Sequence, residues 1–198
     1  GSEVTLTLWY YFSMIWQTTA ILALGFLWTT YIVWKNLRSD YDEKEILTLM
    51  SLLGIVGMIV GYALLIREWG VMLPVFGVLV WWCRKYHWHL GEWLDVLVPC
   101  GIVVAAVSMK IWALLLIYIG VMLIKRNYRQ FSWYKSGKPG LIGLSGLAGW
   151  AMVRISIGFF KPSIDQWIGV WLLTICLVAI YLLSGYKFVW PQRKTQNQ

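Results

Sequence analysis

Seven long apolar runs, separated by short polar segments, constrain this chain more than any other feature. The runs cover residues 8–34, 46–66, 69–83, 93–109, 111–124, 140–160 and 167–186. A helix needs about 20 apolar residues to cross the hydrocarbon core of a bilayer, and most of the runs are near that length. Only 13% of the residues are charged, whereas soluble domains carry about 25%. The sequence therefore predicts an all-α polytopic membrane protein with about seven transmembrane helices.

The basic residues indicate how these helices are oriented. Thirteen of the 17 Lys and Arg residues lie after the first, third and fifth runs and in the C-terminal tail, and three lie in the segments of the opposite side. Because cytoplasmic loops are enriched in Lys and Arg, we expect the N-terminus outside and the C-terminus in the cytoplasm. The same distribution argues against nucleic-acid binding, which requires a basic face or stripe.

The domain organisation follows from the same runs. We expect a single seven-helix transmembrane domain at residues 8–190, followed by a cytoplasmic tail at residues 191–198. Residues 1–7 are expected to form an external N-terminal segment, and Gly1-Ser2 is interpreted as the remnant of an expression tag.

Neither the cysteines nor the histidines predict a metal site or a cofactor. The three cysteines have no CxxC or metal-ligand spacing, which favours their interpretation as small apolar core residues. His87, His89 and Glu92 follow one another at steps of two and three, so they do not share one helix face. They are interpreted as a hydrated cluster at the membrane interface rather than as metal ligands.

Arg154 is the one basic residue inside a predicted span. The sixth helix is expected to start in the cytoplasm at Gly140, and fourteen residues at 1.5 Å each place Arg154 about 21 Å further, in the outer half of the membrane. A charge at that depth is a functional-site hypothesis by default. Because the planar guanidinium can bind a phosphate through two hydrogen bonds, we predict an anionic lipid at this residue.

Other interpretations of Arg154 remain open. Its side chain could extend to the outer headgroups, or it could pair with Glu68. Glu92 and Asp95 lie at the cytoplasmic start of the fourth helix, at the wrong depth for a pair. Asp95 is instead expected to interact with the positive dipole end of its own helix.

Two further patterns also leave alternatives. Gly140, Gly143, Gly146 and Gly149 recur at steps of three in the sixth run. Such a face is typical of close helix packing, although it would also admit an acyl chain. Tyr62, in the outer half of the second helix, is either part of the interfacial aromatic belt or a hydrogen-bond donor to a headgroup.

Three stretches of the chain resemble motifs of the prolipoprotein diacylglyceryl transferases, a family of seven-helix bacterial membrane enzymes. KPGLIGLSGLAGWAMVRISIGFFKP, residues 138–162, resembles the last motif of that family, in which a Pro-Gly opens a helix that later reads Tyr-Gly-x-x-Arg. GMIVGY resembles its Gly-Ala-Arg-x-Gly-Tyr, and LGEWLDVLVP resembles its Leu-Asp-x-x-x-Pro. The structural positions of these motifs are Gly57, Gly61, Asp95, Pro99 and Gly140.

The resemblance implies a multi-pass protein of the bacterial plasma membrane that binds phosphatidylglycerol at the outer leaflet. The lipid-binding residues it implies are Arg154, Tyr62, Lys161 and Trp150. The family transfers the diacylglyceryl group of this lipid to a cysteine of a lipoprotein precursor, which would be the second partner. No cofactor is implied.

Departures from the family pattern bear on catalysis. The signature Gly-Arg-x-Gly-Asn-Phe and an external head domain should follow Pro99, but only CGIVVAAVSMK stands there. Ile59 replaces the arginine of the second motif, and Gly158 replaces a glutamate of the last one. Because the reaction needs a base for the thiol, and no residue can be assigned to that role, we expect a divergent member that binds lipid and has lost the transfer. The alternative is a non-catalytic membrane scaffold or assembly partner.

Overall fold

The computed structural model describes the backbone of residues 2–63, 68–127, 131, 134, 136, 138–160 and 164–185. Side chains are described over the same residues except 2–15, 18, 61–63, 68–72, 159–160 and 164–165. Within these ranges the fold is all-helical. Its helices are α1 (Ser2–Leu37), α2 (Glu43–Ala63), α3 (Glu68–Lys85), α4 (Leu90–Ser108), α5 (Ala113–Asn127), α6 (Leu141–Phe160) and α7 (Ile164–Ser184).

Each helix coincides with one apolar run, which confirms the all-α prediction. Judged over the described residues, four segments are long and apolar enough to cross a membrane: Thr19–Leu37, Leu90–Ser108, Leu141–Gly158 and Gln166–Ser184. α5 has 15 residues and is about 22 Å long, which is shorter than the roughly 30 Å hydrocarbon core. The chain is thus helical with four described segments that could cross a membrane, and the count of seven spans stays a prediction. α1 begins at Ser2, inside the segment expected to precede the first helix.

An acidic cap explains why α2 begins before its apolar run. The Oδ1 atom of Asp42 accepts a hydrogen bond from the Lys44 N–H at 3.1 Å. Glu43 and Glu45 lie in the first turn of the helix. Acidic side chains at a helix start stabilise its positive dipole end. The polar break between the first two apolar runs therefore contributes the first turn of α2.

α3 and α4 are each followed, two residues after their last residue, by a residue in the left-handed backbone conformation. After α3, the Trp88 N–H donates to the Cys83 carbonyl at 2.8 Å, and His87 has a φ of 57°. After α4, the Ile111 N–H donates to the Ala106 carbonyl at 3.1 Å, and Lys110 has a φ of 56°. This bond from the residue after the left-handed position defines the Schellman motif, where glycine is the usual residue.

α4 is the centre of the fold. It packs against α1, α5 and α6, and α6 packs in turn against α5 and α7. α2 and α3 form a pair that contacts the other helices through α1 and α4. One buried cluster, which includes Ile46, Leu49 and Trp93, lies where α1 to α4 meet. A second, around Ile102 and Trp150, lies between α4, α5 and α6.

Glycines bring α6 close to α4 and α5. A β-carbon at Gly143 would lie 2.6 Å from the carbonyl carbon of Leu94, and one at Gly149 would lie 2.5 Å from Cγ2 of Ile117. Gly146, between them, packs against α4 in the same way. Because only a residue without a β-carbon permits this approach, close helix packing is confirmed. The alternative that this face admits an acyl chain is wrong, since α4 and α5 fill it.

Candidate functional site

The carboxylate of Asp95 joins two of the motifs found in the sequence. Asp95 lies in the second turn of α4, and it accepts hydrogen bonds from the backbone N–H groups of Gly140 at 2.8 Å and Gly143 at 2.7 Å. Backbone N–H groups at a helix start have no partner within the helix, so a carboxylate there acts as a cap. Asp95 therefore caps α6 and not, as its position in the sequence predicts, the helix that carries it. Pro99, one turn further along α4, is buried.

The starts of α4 and α6 lie against each other. A β-carbon at Gly91 would be 2.4 Å from the carbonyl oxygen of Pro139. Gly140 has a φ of 118°, which side chains disfavour, so the Pro-Gly pair has a local structural reason. Because Gly91 and Asp95 are near the start of α4 and contact the start of α6, the two helices run in parallel from the same end of the molecule.

Arg154 lies far from that end, in the second half of α6. Its side chain is half-buried, and its guanidinium carbon lies 5.9 Å from the ring centre of Trp150. Trp150 precedes it by one helical turn and is 5% exposed. The distance is within the range of a cation–π interaction. This contact directs the Arg154 side chain toward the start of α6. A side chain that reached headgroups beyond the end of α6 would extend in the opposite direction.

α7 forms the neighbouring wall at the level of Arg154. A β-carbon at Gly169 would lie 3.4 Å from the carbonyl oxygen of Ala151 and 3.7 Å from the β-carbon of Arg154. One turn above, a β-carbon at Gly158 would lie 2.7 Å from Cβ of Gln166. Arg154 is thus at a close crossing of two helices, with an aromatic ring below it. An arginine carries five N–H donors in a planar fork, so a guanidinium beside a ring can also bind a phosphate.

Several sequence-predicted site residues fall outside the part of the chain that the structure describes. The side chains of Tyr62 and Glu68 and the whole of Lys161 lie outside the described residues, as do the surroundings of Gly61. The predictions made for them, including a pair between Arg154 and Glu68, therefore stay predictions.

The helix that carries the second motif is not a neighbour of α6. Gly57 faces α3, where a β-carbon would lie 3.9 Å from Cγ2 of Val75. In the part of the chain that the structure describes, α2 contacts α1 and α3 and makes no contact with α6. α1 and α4 pack between them, so Gly57 and Arg154 do not form one cluster.

A second constellation, which the sequence analysis did not identify, lies where α3 passes into α4. The rings of Tyr41 and Trp88 are centred 4.6 Å apart, and Trp88 stacks on Trp93 at 5.3 Å with an interplanar angle of 5°. Trp82 and Tyr86 continue the cluster with ring centres 4.8 Å apart. The signal in the sequence was the density of tryptophan and tyrosine on both sides of this helix break.

Tyr41 anchors this cluster to α4. Its hydroxyl donates a hydrogen bond to Oε2 of Glu92 at 2.5 Å. Burial, together with that hydrogen bond, raises the pKa of Tyr41 above its ordinary value. The phenol is therefore protonated at neutral pH, and Glu92 serves as its acceptor.

Comparisons of the chain with protein-family models, with curated proteins and with solved structures gave no match. The resemblance to the diacylglyceryl transferases is therefore a hypothesis that rests on the residues themselves.

Proposed function

We propose that this chain is a seven-span protein of the bacterial plasma membrane that binds an anionic phospholipid, such as phosphatidylglycerol, in the outer leaflet. The N-terminus is outside and the C-terminus is cytoplasmic in this proposal, which rests on the distribution of Lys and Arg. The observation that carries the proposal is the half-buried Arg154 within a helix that is apolar enough to span a membrane.

An anionic ligand at Arg154 is supported by its charge and by its place within an apolar helix. A charged side chain within a spanning helix is rare and is a functional-site hypothesis by default. Of the acids in the described part of α4, Glu92 accepts a hydrogen bond from Tyr41 and Asp95 caps the start of α6. Arg154 is about 20 Å along the helix from that start. A lipid phosphate offers both the opposite charge and two oxygens in the geometry of the guanidinium fork.

Diacylglyceryl transfer is not part of the proposed function. That reaction needs a base within about 3 Å of the incoming thiol, or one water away from it. The described acids of α4 are engaged at the opposite end of α6 from Arg154. Ile59 and Gly158 replace an arginine and a glutamate of the family motifs, and no residue can be assigned as the base. We expect no transfer from phosphatidylglycerol vesicles to a peptide with a lipoprotein cysteine motif. Turnover that Arg154→Ala abolishes would contradict this expectation.

The binding proposal is tested by the lipid that the purified protein retains. Arg154→Ala, Arg154→Lys and wild type are extracted with mild detergent, and bound phospholipid is quantified by mass spectrometry. We expect Arg154→Ala to lose anionic phospholipid and Arg154→Lys to keep less than wild type, since lysine has the charge without the bidentate geometry. Arg126→Ala is the control, because Arg126 is exposed in the last turn of α5.

Two results would overturn the proposal. One is equal retention of anionic lipid by wild type and Arg154→Ala when both have the same melting temperature. The other is a wild-type protein that retains no phospholipid, which would favour a membrane scaffold or assembly partner instead.

A further inference from the structure

The end of the molecule where α3 passes into α4 carries a groove of about 400 Å³. It is lined by Val80, Cys83, Arg84, His87, Trp88 and Leu90. The apolar members are buried or half-buried and form its walls, whereas Arg84 and His87 are exposed at its rim. Because α4 begins beside the start of α6, this groove and Arg154 lie at opposite ends of the bundle.

One wall of the groove is held in place by the aromatic cluster. Trp88 stacks on Trp93 at 5.3 Å, and Trp93 is fully buried. The opposite anchor is Tyr41, which contacts the Trp88 ring at 4.6 Å and is bonded to Glu92. The Trp88 backbone is fixed by its bond to the Cys83 carbonyl. A wall that is ordered before binding reduces the entropy that a ligand must lose.

The polar side chains that line the groove are Arg84 and His87, and neither is acidic. Arg84 contributes a permanent positive charge, and His87 is held at the rim by its left-handed turn conformation. The neighbouring Lys85 lies 5.3 Å from the ring centre of Trp81. Glu92, the nearest acid of α4, is turned toward Tyr41 and is not part of the lining. An occupant with a negative charge therefore matches this rim.

The surroundings of the groove favour a lipid over a soluble anion. Trp81 lies one turn from the end of α3 and is 54% exposed. The ammonium group of Lys85 lies over its ring. Tryptophan and lysine placed in this way are typical of the lipid headgroup region, because each side chain combines an apolar part with a polar end. Val80 and Leu90 contribute aliphatic walls to the groove, against which an acyl chain can pack.

We propose that this groove binds an acidic phospholipid from the leaflet at its own end of the molecule. The phosphate lies between Arg84 and His87, and an acyl chain follows Val80 and Leu90. This site is separate from the one proposed at Arg154, and each can exist without the other.

Native mass spectrometry of the detergent-solubilised protein tests the proposal. Phosphatidylglycerol or phosphatidylcholine with the same acyl chains is added to wild type and to the double variant Arg84→Gln/His87→Asn. Asparagine tolerates the left-handed conformation at residue 87. The control is Lys110→Asn, because Lys110 is also an exposed basic residue in a left-handed position after a helix. Arg154→Ala is measured in parallel, because it tests the separate lipid site proposed at the opposite end of the bundle.

We expect the double variant to bind one phosphatidylglycerol fewer than wild type, or to bind it about tenfold more weakly, a change of about 1.4 kcal/mol. Lys110→Asn should bind like wild type, and phosphatidylcholine should not distinguish the variants. If the double variant does not fold, Arg84→Gln alone carries the test, since Arg84 is exposed.

Three outcomes would overturn the proposal. The first is wild-type binding of phosphatidylglycerol by the double variant, whatever Arg154→Ala does. The second is an equal loss in Lys110→Asn, which would mean a non-specific effect of charge. The third is binding of inorganic phosphate that depends on Arg84 while lipid binding does not, which would mean a soluble anion.

Discussion

Replacing Asp95 by alanine should be strongly destabilising, because one carboxylate holds the start of α6. It accepts hydrogen bonds from Gly140 at 2.8 Å and from Gly143 at 2.7 Å. A hydrogen bond to a charged group contributes about 1.5–3 kcal/mol, and the loss of a helix cap costs about 0.5–2 kcal/mol. Since both bonds end on the same side chain, we expect a combined loss of about 3 kcal/mol in the free energy of unfolding. Asp95→Asn keeps one acceptor oxygen and should lose about 2 kcal/mol.

Thermal unfolding in detergent micelles measures this effect. For a chain of 198 residues, 1 kcal/mol corresponds to about 2–4 °C in Tm. Asp95→Ala should therefore melt about 6–12 °C below wild type and Asp95→Asn about 4–8 °C below it. Asp40→Asn is the matched control, because Asp40 is exposed in the turn after α1. A Tm of Asp95→Ala within about 2 °C of wild type would refute the capping argument.

Three other predictions follow from the packing, the turns and the topology. Gly149→Leu should lower the Tm, since a β-carbon alone would lie 2.5 Å from Ile117, whereas Gly101→Leu, with nothing within 4 Å, should not. Equal effects of the two would contradict the packing. Lys110→Gly should leave the stability unchanged or raise it by up to about 1 kcal/mol, because glycine relieves the left-handed conformation; a lower Tm would count against this. Lys138→Cys should react with an impermeant maleimide only from the cytoplasmic side, and labelling from outside would refute the proposed orientation.

The helices could be predicted from the sequence because apolar length is a local property. The start of α2 was missed, since the count of apolar residues begins at Ile46, whereas Asp42 and the acidic first turn begin the helix at Glu43. The close packing of α6 was also recognisable, because its glycines recur on one face at helical spacing. The contact between Trp150 and Arg154 follows from the same spacing of one turn.

The role of Asp95 could not be read from local pattern. A carboxylate near a helix start is expected to act on its own helix, but its partners here are 45 and 48 residues away. The aromatic cluster was missed for a similar reason, since it forms only when the turn that carries Tyr41 meets the turn that carries Trp88. Both depend on which helices become neighbours, which one-dimensional periodicity does not determine.

The cap on α6 also has a consequence for biosynthesis. Asp95 leaves the ribosome 45 residues before Gly140, and at about 5–20 residues per second that interval is about 2–9 seconds. In the proposed topology, α4 is inserted into the membrane during that time, before its carboxylate has met the start of α6. Its position in the second turn keeps it near the interface, where water can solvate it until α6 arrives. In the proposed topology, the order of synthesis thus places the capping carboxylate of α4 in position before the start of α6 that it binds is made.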